Sequence, residues 1–270
     1  MEKFNSKKHL KYFPDLPFSY FYLPIHLDCL GYVLERNGKS VLLGQDIYNA
    51  HEFPSFFLPP DKINWEGCSM VFVTEEDIRK VEEEGVEIEI KNPTGTEFFF
   101  KTDDFISPTK KIRERINQFN RLYDYKILNE YSKEKIEGFY RRWKAQKERN
   151  GDTFDEAENF FFFCLNNLRK YPVKQVYVEV GGELIGLSWG IKFSEQEWVG
   201  LHLKALYDYK GLSRVLHQER AKLFSDCSIF SLGTGAKEEG IARYKKELGP
   251  CSKKDYFYIL TGKKISRNSN

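Results

Sequence analysis

The sequence is poor in cysteine, and its few cysteines show no pairing pattern. There are five, without a CxxC motif or a regular spacing, at Cys29, Cys68, Cys164, Cys227 and Cys251. Disulfide-stabilised secreted domains and structural zinc sites both use paired or closely spaced cysteines. The odd count and irregular spacing argue against both classes, and we expect free thiols in the reducing environment of the cytoplasm.

Long hydrophobic runs are also missing. No stretch of about 18 apolar residues occurs, and the N-terminal segment MEKFNSKKHLKYFPDLP carries basic residues without the apolar region of a signal peptide behind them. The composition, with 41% hydrophobic and 30% charged residues and a mean hydropathy of -0.57, is typical of a globular protein. We predict a cytoplasmic protein without a transmembrane segment.

Motifs for metal binding and nucleophilic catalysis are missing as well. The five histidines show no HxxxH or mixed Cys/His spacing, and neither a GxSxG nor a DxDxDG motif occurs. The formal net charge is only +2, which excludes a polycation of the kind that wraps DNA. We expect no metal site and no tightly bound cofactor.

One segment departs from this balance of charge. Residues 110–149 carry 13 lysines and arginines against 6 aspartates and glutamates, a local excess of +7. A basic helical face is commonly only solvated, but it also suits tRNA, a phosphorylated cofactor or an anionic lipid surface. We therefore expect tRNA as one partner for the helices of 110–149, with the other partners left open.

The N-terminal half is predicted to be rich in strands. Aromatic, aliphatic and polar residues alternate over residues 18–30, and Asn37-Gly38 separates two strand-like runs as in a type I′ hairpin. The segments SMVFV, VEIEIK and TEFFFKT are predicted as further strands, with an acidic helix that starts at Thr74 between the first two. This order indicates a mixed sheet with at least one helix against it.

Helices dominate the middle of the chain. Apolar residues recur with helical spacing over residues 110–123, and Ser132 and Thr153 are placed to cap two further helices. After them the period changes to two, and three strands around a Gly181-Gly182 turn and a polar turn form an antiparallel meander.

The stretch from Trp198 to Gly249 carries the strongest functional signal. A strand ends at Tyr207, Gly211 opens a helix, and a second strand leads through the Gly-rich turn 233–237 into another helix. The N–H groups and the partial positive charge at a helix N-terminus suit a phosphate or a carboxylate. A last strand is predicted over residues 254–260. The predicted fold class is α/β with a mixed sheet, which includes α+β arrangements.

This order of helices, meander, glycine turn, helix, strand, helix and strand is similar to that of an N-acetyltransferase domain. A closer resemblance lies in the segments EFFFKTDDFISPTKKIRERINQFNRLYDYKI, VEVGGELIGLSWG, LHLKALYDYKGLSRVLHQERAKLF and GIARYKKELGP. In this order, over roughly residues 95–260, they resemble the phosphatidylglycerol lysyltransferase C-terminal domain-like family.

The resemblance implies tandem acyl-CoA N-acetyltransferase-like (GNAT-like) domains. A degenerate first domain would cover residues 1–106, and a second, donor-binding domain residues 107–270. It also implies kinship with the peptidoglycan-modifying aminoacyltransferases, which take their acyl group from aminoacyl-tRNA. The sequence departs from the family at two places. Leu203 stands where the family usually has a glutamate, and Gly235-Ala236-Lys237 stands where the family usually has an acidic residue and a glycine. These departures leave the substrate and the catalysis open.

The donor is predicted to bind at the first glycine turn. Gly211 allows the backbone to approach a phosphate, Ser213 and Arg214 lie in the first helical turn, and Lys210 precedes the glycine. The residues predicted to bind the donor are Tyr209, Lys210, Gly211, Leu212, Ser213 and Arg214. The alternative is an ordinary turn glycine followed by a simple cap.

The predicted catalytic residues are Lys204 and His202. Lys204 interrupts the apolar strand VGLHLKAL, and with a period of two its side chain shares a face with that of His202. A histidine and a lysine on one strand face can bind a carboxylate or phosphate, or serve as base and electrostatic stabiliser. The alternative is a solvated strand face.

The second turn is predicted to bind the acceptor substrate. Gly233 and Gly235 follow a strand and precede a helix, without the GxxxxGK[ST] spacing of a P-loop. Arg243 and Lys245 come one or two helical turns later, and the resemblance implies that the lysine shapes the substrate site. The alternative is a structural charge on the helix face.

Three functions follow from these patterns. The first is an acyltransferase that moves an aminoacyl group from tRNA, or an acyl group from coenzyme A, to an amine or hydroxyl. The usual coenzyme A pattern is imperfect, because Asp208 and Ser213 occupy its first and last places. The second is a non-catalytic binding module on the same scaffold, and the third is an enzyme that modifies lipid headgroups at the membrane surface.

Overall fold

The computed structural model describes residues 1–36, 39–44, 55–56, 67–149, 151, 157–234 and 239–264. The chain forms two compact units. The first unit consists of Met1–Phe98, Thr234–Lys246 and Ser252–Asn270, and the second of Phe99–Gly233 and Glu247–Cys251. This division differs from the predicted domains 1–106 and 107–270, because a helix and the last strand return to the first unit.

The N-terminal elements are β1 (Glu2–Lys3), α1 (Ser6–His9), α2 (Pro24–Leu30), β2 (Gly31–Arg36), β3 (Lys39–Gly44), β4 (Ser55–Phe56), β5 (Ser69–Val73), α3 (Glu75–Glu83) and β6 (Val86–Lys101). The middle elements are α4 (Asp103–Ile106), α5 (Lys110–Leu122), β7 (Tyr125–Leu128), α6 (Lys133–Arg149) and α7 (Ala157–Asn167). The last elements are β8 (Val173–Val180), β9 (Glu183–Lys192), β10 (Glu197–Ala205), α8 (Leu212–Leu223), β11 (Ile229–Thr234), α9 (Glu239–Glu247) and β12 (Ser252–Lys264).

In the first unit the strands follow the order β1-β2-β3-β4-β5-β12-β6. The predicted hairpin is confirmed, since β2 and β3 pair antiparallel through Glu35 and Ser40; its Asn37-Gly38 turn lies outside the described residues. The acidic helix α3 begins as predicted, because Thr74 and Asp77 form a capping box. The core of this unit packs β3, β5, α3 and β12 together through side chains such as Met70 and Ile259.

Two predictions for this unit are wrong. Residues 18–30 contain helix α2 instead of a strand, and Pro24 stands at its first position, where its fixed φ suits a helix and its missing N–H costs nothing. The segments VEIEIK and TEFFFKT form one long strand, β6, instead of two. Gly95, with φ +152°, lies within this strand, so the interruption at Pro93 and Gly95 does not end it.

In the second unit the order is β11-β10-β9-β8-β7, with the last residues of β6 beside β11. The predicted meander β8-β9-β10 is confirmed as antiparallel, and β10 pairs with β11 in parallel. Gly181 and Gly182 both have positive φ, at +59° and +85°, as the tight turn requires. The short strand β7, which pairs with β8, was not predicted from the sequence.

Helix α8 packs closely on one face of this sheet. A Cβ atom added at Gly190 would lie 2.7 Å from the Phe224 ring, and one at Gly200 would lie 2.7 Å from the Arg220 guanidinium. Glycine at these positions therefore lets the helix approach the strands. Side chains of α5, α8 and the strands, among them Phe119, form the core on this face. Helix α7 packs on the opposite face, where Phe161 stacks on Trp189 with ring centres 5.0 Å apart.

The structure also bears on the cysteines, on membrane-spanning helices and on groups of metal-binding side chains. All five cysteines are free, as predicted. In the described part of the chain, no helix combines the length and the apolar character that crossing a bilayer requires. Within the same residues, histidine, cysteine and carboxylate side chains do not gather in groups of three that could hold a metal ion.

Candidate functional site

The candidate site lies at the end of strand β10. His202 pairs with Trp189 and Lys204 pairs with Leu187 on β9, after an irregularity in register between Gly200 and His202. Both side chains contact the ring of Phe161 on α7. The prediction that they project to the same side of the strand is therefore confirmed.

Lys204 is surrounded by aromatic rings. Its ammonium group lies 3.7 Å from the centre of the Trp143 ring and 5.2 Å from those of Tyr140 and Phe161. The electrons of an aromatic face attract a cation at such distances. The lysine side chain is partly exposed, so α6 and α7 hold a positive charge within reach of solvent at the end of β10.

His202 lies deeper in the same aromatic environment. Its ring centre is 5.3 Å from that of Phe160 and 5.6 Å from that of Trp189. Burial lowers the pKa of His202 well below 6.5, and the positive charges of Lys204 and Arg220 lower it further. The imidazole is therefore neutral at pH 7. Its Nε2 atom is buried and has no hydrogen-bond partner among the described residues.

Arg220 on α8 supports the backbone of the site from the opposite face. Its Nη1 donates to the carbonyl oxygens of Trp189 (3.1 Å) and His202 (3.3 Å), and its Nη2 donates to Nδ1 of His217 (3.1 Å). Arg220 is fully buried. Arg220 was not predicted from the sequence, although its position on the apolar stripe of α8, four residues after Leu216, is a signal for a buried role.

The connection between β10 and α8, residues 206–211, contains the first three residues of the predicted donor site, and we call it the donor turn. The side chain of Gln146 on α6 accepts a hydrogen bond from the Tyr207 N–H (2.7 Å) and donates one to the Asp208 carboxylate (2.6 Å). The hydroxyl of Tyr123 donates to the Asp208 carbonyl (3.4 Å). The ring of Tyr123 lies 5.0 Å from that of Tyr209. The donor turn is thus held by side chains from two parts of the helical segment.

Gly211 ends the donor turn in a conformation that glycine favours. Its φ is +94°, and a Cβ atom there would lie 2.4 Å from the carbonyl oxygen of Arg115 on α5. The N–H of Leu212 donates to the Tyr209 carbonyl, and that of Arg214 donates to the Gly211 carbonyl. Close packing against α5 is therefore enough to explain the glycine. Two N–H groups of the first helical turn already donate to backbone carbonyls.

The other residues predicted to bind the donor differ in exposure. Lys210 is exposed, whereas Ser213 and Arg214 are partly buried at the start of α8. Because the carbonyl oxygen of Arg115 faces Gly211, the exposed Arg115 and Lys210 belong to adjoining parts of the surface. The structure thus brings the backbone of α5 close to that of the donor turn.

The residues predicted to bind the acceptor fall in different units. Gly233 is the last residue of the longer segment of the second unit; its φ is +68°, and its N–H donates to the Ser231 hydroxyl. Gly235 lies outside the described residues. Arg243 and Lys245 belong to the first unit; Arg243 is exposed, whereas Lys245 is buried and donates to the Thr234 carbonyl at 2.6 Å. The ammonium of Lys245 therefore stabilises the end of β11.

The two basic helices differ in how their charges are balanced. Helix α6 has ion pairs on four of its cations, which are Lys133–Glu137, Arg141–Glu137, Arg142–Glu183 and Lys144–Glu158. Helix α5 exposes five cations, which are Lys110, Lys111, Arg113, Arg115 and Arg121. None of these five forms an ion pair within the described part of the chain. The positive surface of this segment is therefore concentrated on α5.

No family model matches the sequence, and no curated protein matches it. Solved structures do match. A conserved protein of unknown function from Bacteroides thetaiotaomicron has a TM-score of 0.67 at 15% identity, over 82% of both chains. The C-terminal domain of a putative lysylphosphatidylglycerol synthetase from Agrobacterium fabrum has a TM-score of 0.59 at 9% identity, over 87% of this chain and 85% of that one. FemX has a TM-score of 0.60 at 8% identity, over 96% and 97%.

The chain has an N-acetyltransferase-like fold of the FemX and lysylphosphatidylglycerol synthetase type. The predicted fold class and the family resemblance are thereby confirmed. Because the identities are only 8–15%, the similarity establishes the fold and leaves the function to the chemistry of this chain's own residues.

Proposed function

We propose that this acyltransferase-like protein transfers an aminoacyl group from aminoacyl-tRNA to an amine or hydroxyl acceptor in the cytoplasm. The observation that carries the proposal is the position of Lys204. Its ammonium lies 3.7 Å from the centre of the Trp143 ring, the residue is partly exposed, and it stands only two residues before the donor turn. The fold supports it, because the similarity to FemX extends over nearly the whole of both chains.

The role of Lys204 follows from the chemistry of the transfer. The acceptor attacks the carbonyl carbon of the donor ester, a new C–N or C–O bond forms, and negative charge develops on the carbonyl oxygen. The bond to the leaving oxygen then breaks, and the acceptor's proton passes to that oxygen. A fixed positive charge beside the developing oxyanion lowers the barrier, and one such donor contributes about 10²- to 10³-fold in rate.

His202 contributes through its neutral state. A second positive charge beside Lys204 would be costly in this buried position, and the lowered pKa of His202 avoids it. A neutral imidazole can still donate a hydrogen bond from one nitrogen, as an oxyanion requires. We therefore assign His202 with Lys204 to stabilisation of the transition state, because the lowered pKa makes the imidazole a weak base.

The donor turn and α5 are proposed to bind the phosphates of the donor. Lys210, Ser213 and Arg214 supply cations and a hydroxyl at the start of α8, where the helix dipole favours an anion. The predicted acceptor residues Gly233, Gly235, Arg243 and Lys245 remain a proposal for the other substrate.

The distribution of charge favours tRNA over coenzyme A. Helix α5 spans about 20 Å, since each residue adds about 1.5 Å, and it exposes five cations that lack ion-pair partners among the described residues. Binding a polyphosphate backbone needs several such contacts, whereas coenzyme A needs few. At the place of the first coenzyme A residue, Asp208 instead binds Gln146. We propose that no tightly bound cofactor is needed.

A second candidate is the modification of lipid headgroups at a membrane surface. The similarity to the C-terminal domain of a putative lysylphosphatidylglycerol synthetase favours it, and a phosphatidylglycerol hydroxyl would then be the acceptor. The donor site would be the same. A non-catalytic binding role is the outcome to be tested against both, since Leu203 stands where the resembling family has glutamate.

The test supplies donors and acceptors in combination. The purified protein is incubated with tRNA charged with labelled amino acids, or with labelled acyl-CoA, and with an amine-bearing peptide or phosphatidylglycerol vesicles. We expect label to move from tRNA to one acceptor, and Lys204→Met to lower this rate about 100-fold. Lys174→Met is the matched control, because Lys174, on β8 of the same sheet, also lies over an aromatic ring, that of Phe224. Transfer of no label, together with no thermal stabilisation by either donor, would leave the non-catalytic role.

A further inference from the structure

Gln146 is a buried polar residue on a helix whose neighbouring positions face solvent. Its side chain is only 8% exposed, whereas Ala145 and Glu148 are exposed. A buried amide is costly unless its donor and acceptor groups are both used. Gln146 uses both, and both bonds go to the donor turn.

The two bonds have opposite directions and suit an amide. The oxygen of Gln146 accepts from the Tyr207 N–H at 2.7 Å, and its nitrogen donates to the Asp208 carboxylate at 2.6 Å. The reversed amide would place oxygen against the carboxylate and NH₂ against the N–H, so only one orientation is favourable. Glutamate and methionine, although similar in length, cannot satisfy both partners.

The same helix face positions the lysine of the candidate site. Tyr140 and Trp143 lie six and three residues before Gln146 on α6, and their rings surround the ammonium of Lys204. Helix α6 therefore contacts both parts of the site, with aromatic rings on the charge and an amide on the donor turn. Its rigidity sets the distance between them.

We propose that Gln146 is a positioning residue, which holds the donor turn at a fixed distance from Lys204 so that the donor is bound in a productive orientation. This inference rests on the function proposed above. It explains why Tyr207 and Lys210 can expose their side chains while the backbone of their turn is held. Small losses of orientation at such a turn reduce binding or rate strongly.

The first arm of the test needs no substrate. Hydrogen exchange is measured in peptides that cover residues 206–211 and, separately, α8. We expect Gln146→Met to speed exchange of the Tyr207 amide about fivefold, as the loss of one ordinary hydrogen bond predicts, while α8 keeps its protection. Gln218→Met is the matched control, because Gln218 donates to the Ile106 carbonyl away from the donor turn.

A pair of substitutions tests the direction of the bonds. Gln146→Glu places two carboxylates together and should speed exchange as Gln146→Met does. Adding Asp208→Asn supplies a donor opposite the new carboxylate, so the double variant should restore protection. Unchanged exchange in Gln146→Met, or no recovery in the double variant, would overturn the proposed contact.

The second arm measures transfer from charged tRNA. We expect Gln146→Met to raise the KM for the donor about fivefold with little change in kcat, whereas the double variant Gln146→Glu with Asp208→Asn should bring the KM back towards that of the wild type. Faster exchange with an unchanged donor KM would overturn the positioning role. If the wild-type protein transfers nothing from any donor, the proposed function fails and the role in donor binding fails with it, while the exchange arm still decides whether Gln146 holds the turn.

Discussion

The ammonium group of Lys204 lies 3.7 Å from the centre of the Trp143 ring, which is closer than to the two other rings around it. A contact of this kind contributes about 0.5–2 kcal/mol, more as the cation loses water. It restricts a long side chain that would otherwise sample many rotamers. The ring therefore fixes the position of the charge on which the proposed transfer depends.

Replacement of this ring tests that dependence. We expect Trp143→Leu to lower kcat/KM about tenfold, because the loss of a contact worth about 1.4 kcal/mol in the transition state gives that factor. Trp143→Phe keeps an aromatic face and should lose less. Steady-state kinetics with thermal melting separates activity from folding. Full activity in a folded Trp143→Leu variant would show that the ring does not position Lys204.

The packing of Arg220 against Gly200 leads to a prediction about stability. A Cβ at Gly200 would lie 2.7 Å from the guanidinium, which itself donates to the carbonyl oxygens of Trp189 and His202. We expect Gly200→Ala to lower the free energy of unfolding by about 1–3 kcal/mol through overpacking. Arg220→Ala should cost about 3 kcal/mol through its lost hydrogen bonds.

A double-mutant cycle identifies the cause. Because the added methyl group meets the guanidinium, Gly200→Ala should cost much less in an Arg220→Ala background. Urea unfolding of the four proteins measures the coupling. Strict additivity would mean that the cost of alanine at Gly200 arises elsewhere, for example from the sheet.

His202 predicts a loss of stability in acid. Its pKa in the folded protein is well below 6.5, the value for an unperturbed histidine, so below about pH 6.5 the unfolded chain binds more protons. Stability must then fall as the pH is lowered, by up to about 1.4 kcal/mol per pH unit for one histidine. His26 acts in the same direction, since burial lowers its pKa to about 4.

Unfolding by urea at pH 7 and pH 5 checks this prediction. Between pH 7 and pH 5 the free energy of unfolding of the wild type should decrease, and we call this decrease the acid loss. We expect His202→Leu and His26→Leu each to reduce the acid loss by the amount that one histidine contributes. If the acid loss is the same in wild type and in both variants, other groups cause it.

Local periodicity explains which features could be predicted from the sequence. Helix α5, the Ser132 cap of α6 and the meander depend on residues close in the chain, and the structure has all of them. The shared side of His202 and Lys204 follows from strand alternation alone. The alternating pattern of residues 18–30 predicted a strand, but proline at the first turn of α2 favours the helix that the structure has there.

The features that escaped prediction depend on distant residues. Gln146 bonds to partners 61 and 62 residues away, and Arg220 bonds to the Trp189 carbonyl across 31 residues. The division into units also depends on distant residues, because β12 lies between β5 and β6 in the sheet although both of these strands are far from β12 in the sequence. Neither spacing nor composition encodes such contacts, so only the folded chain shows them.

The contrast between α5 and α6 gives the final prediction. If α5 contacts a polyphosphate, removal of two of its cations by Lys111→Gln and Arg115→Gln should weaken binding of uncharged tRNA. It should also reduce the slope of log K against log salt by about 1.4–1.8, since each lost phosphate contact contributes about 0.7–0.9. The matched control is Lys133→Gln with Arg141→Gln on α6, where both cations pair with Glu137. Fluorescence anisotropy between about 50 and 200 mM salt measures both slopes. Equal losses in the two variants would mean that net charge, and not α5, attracts the RNA.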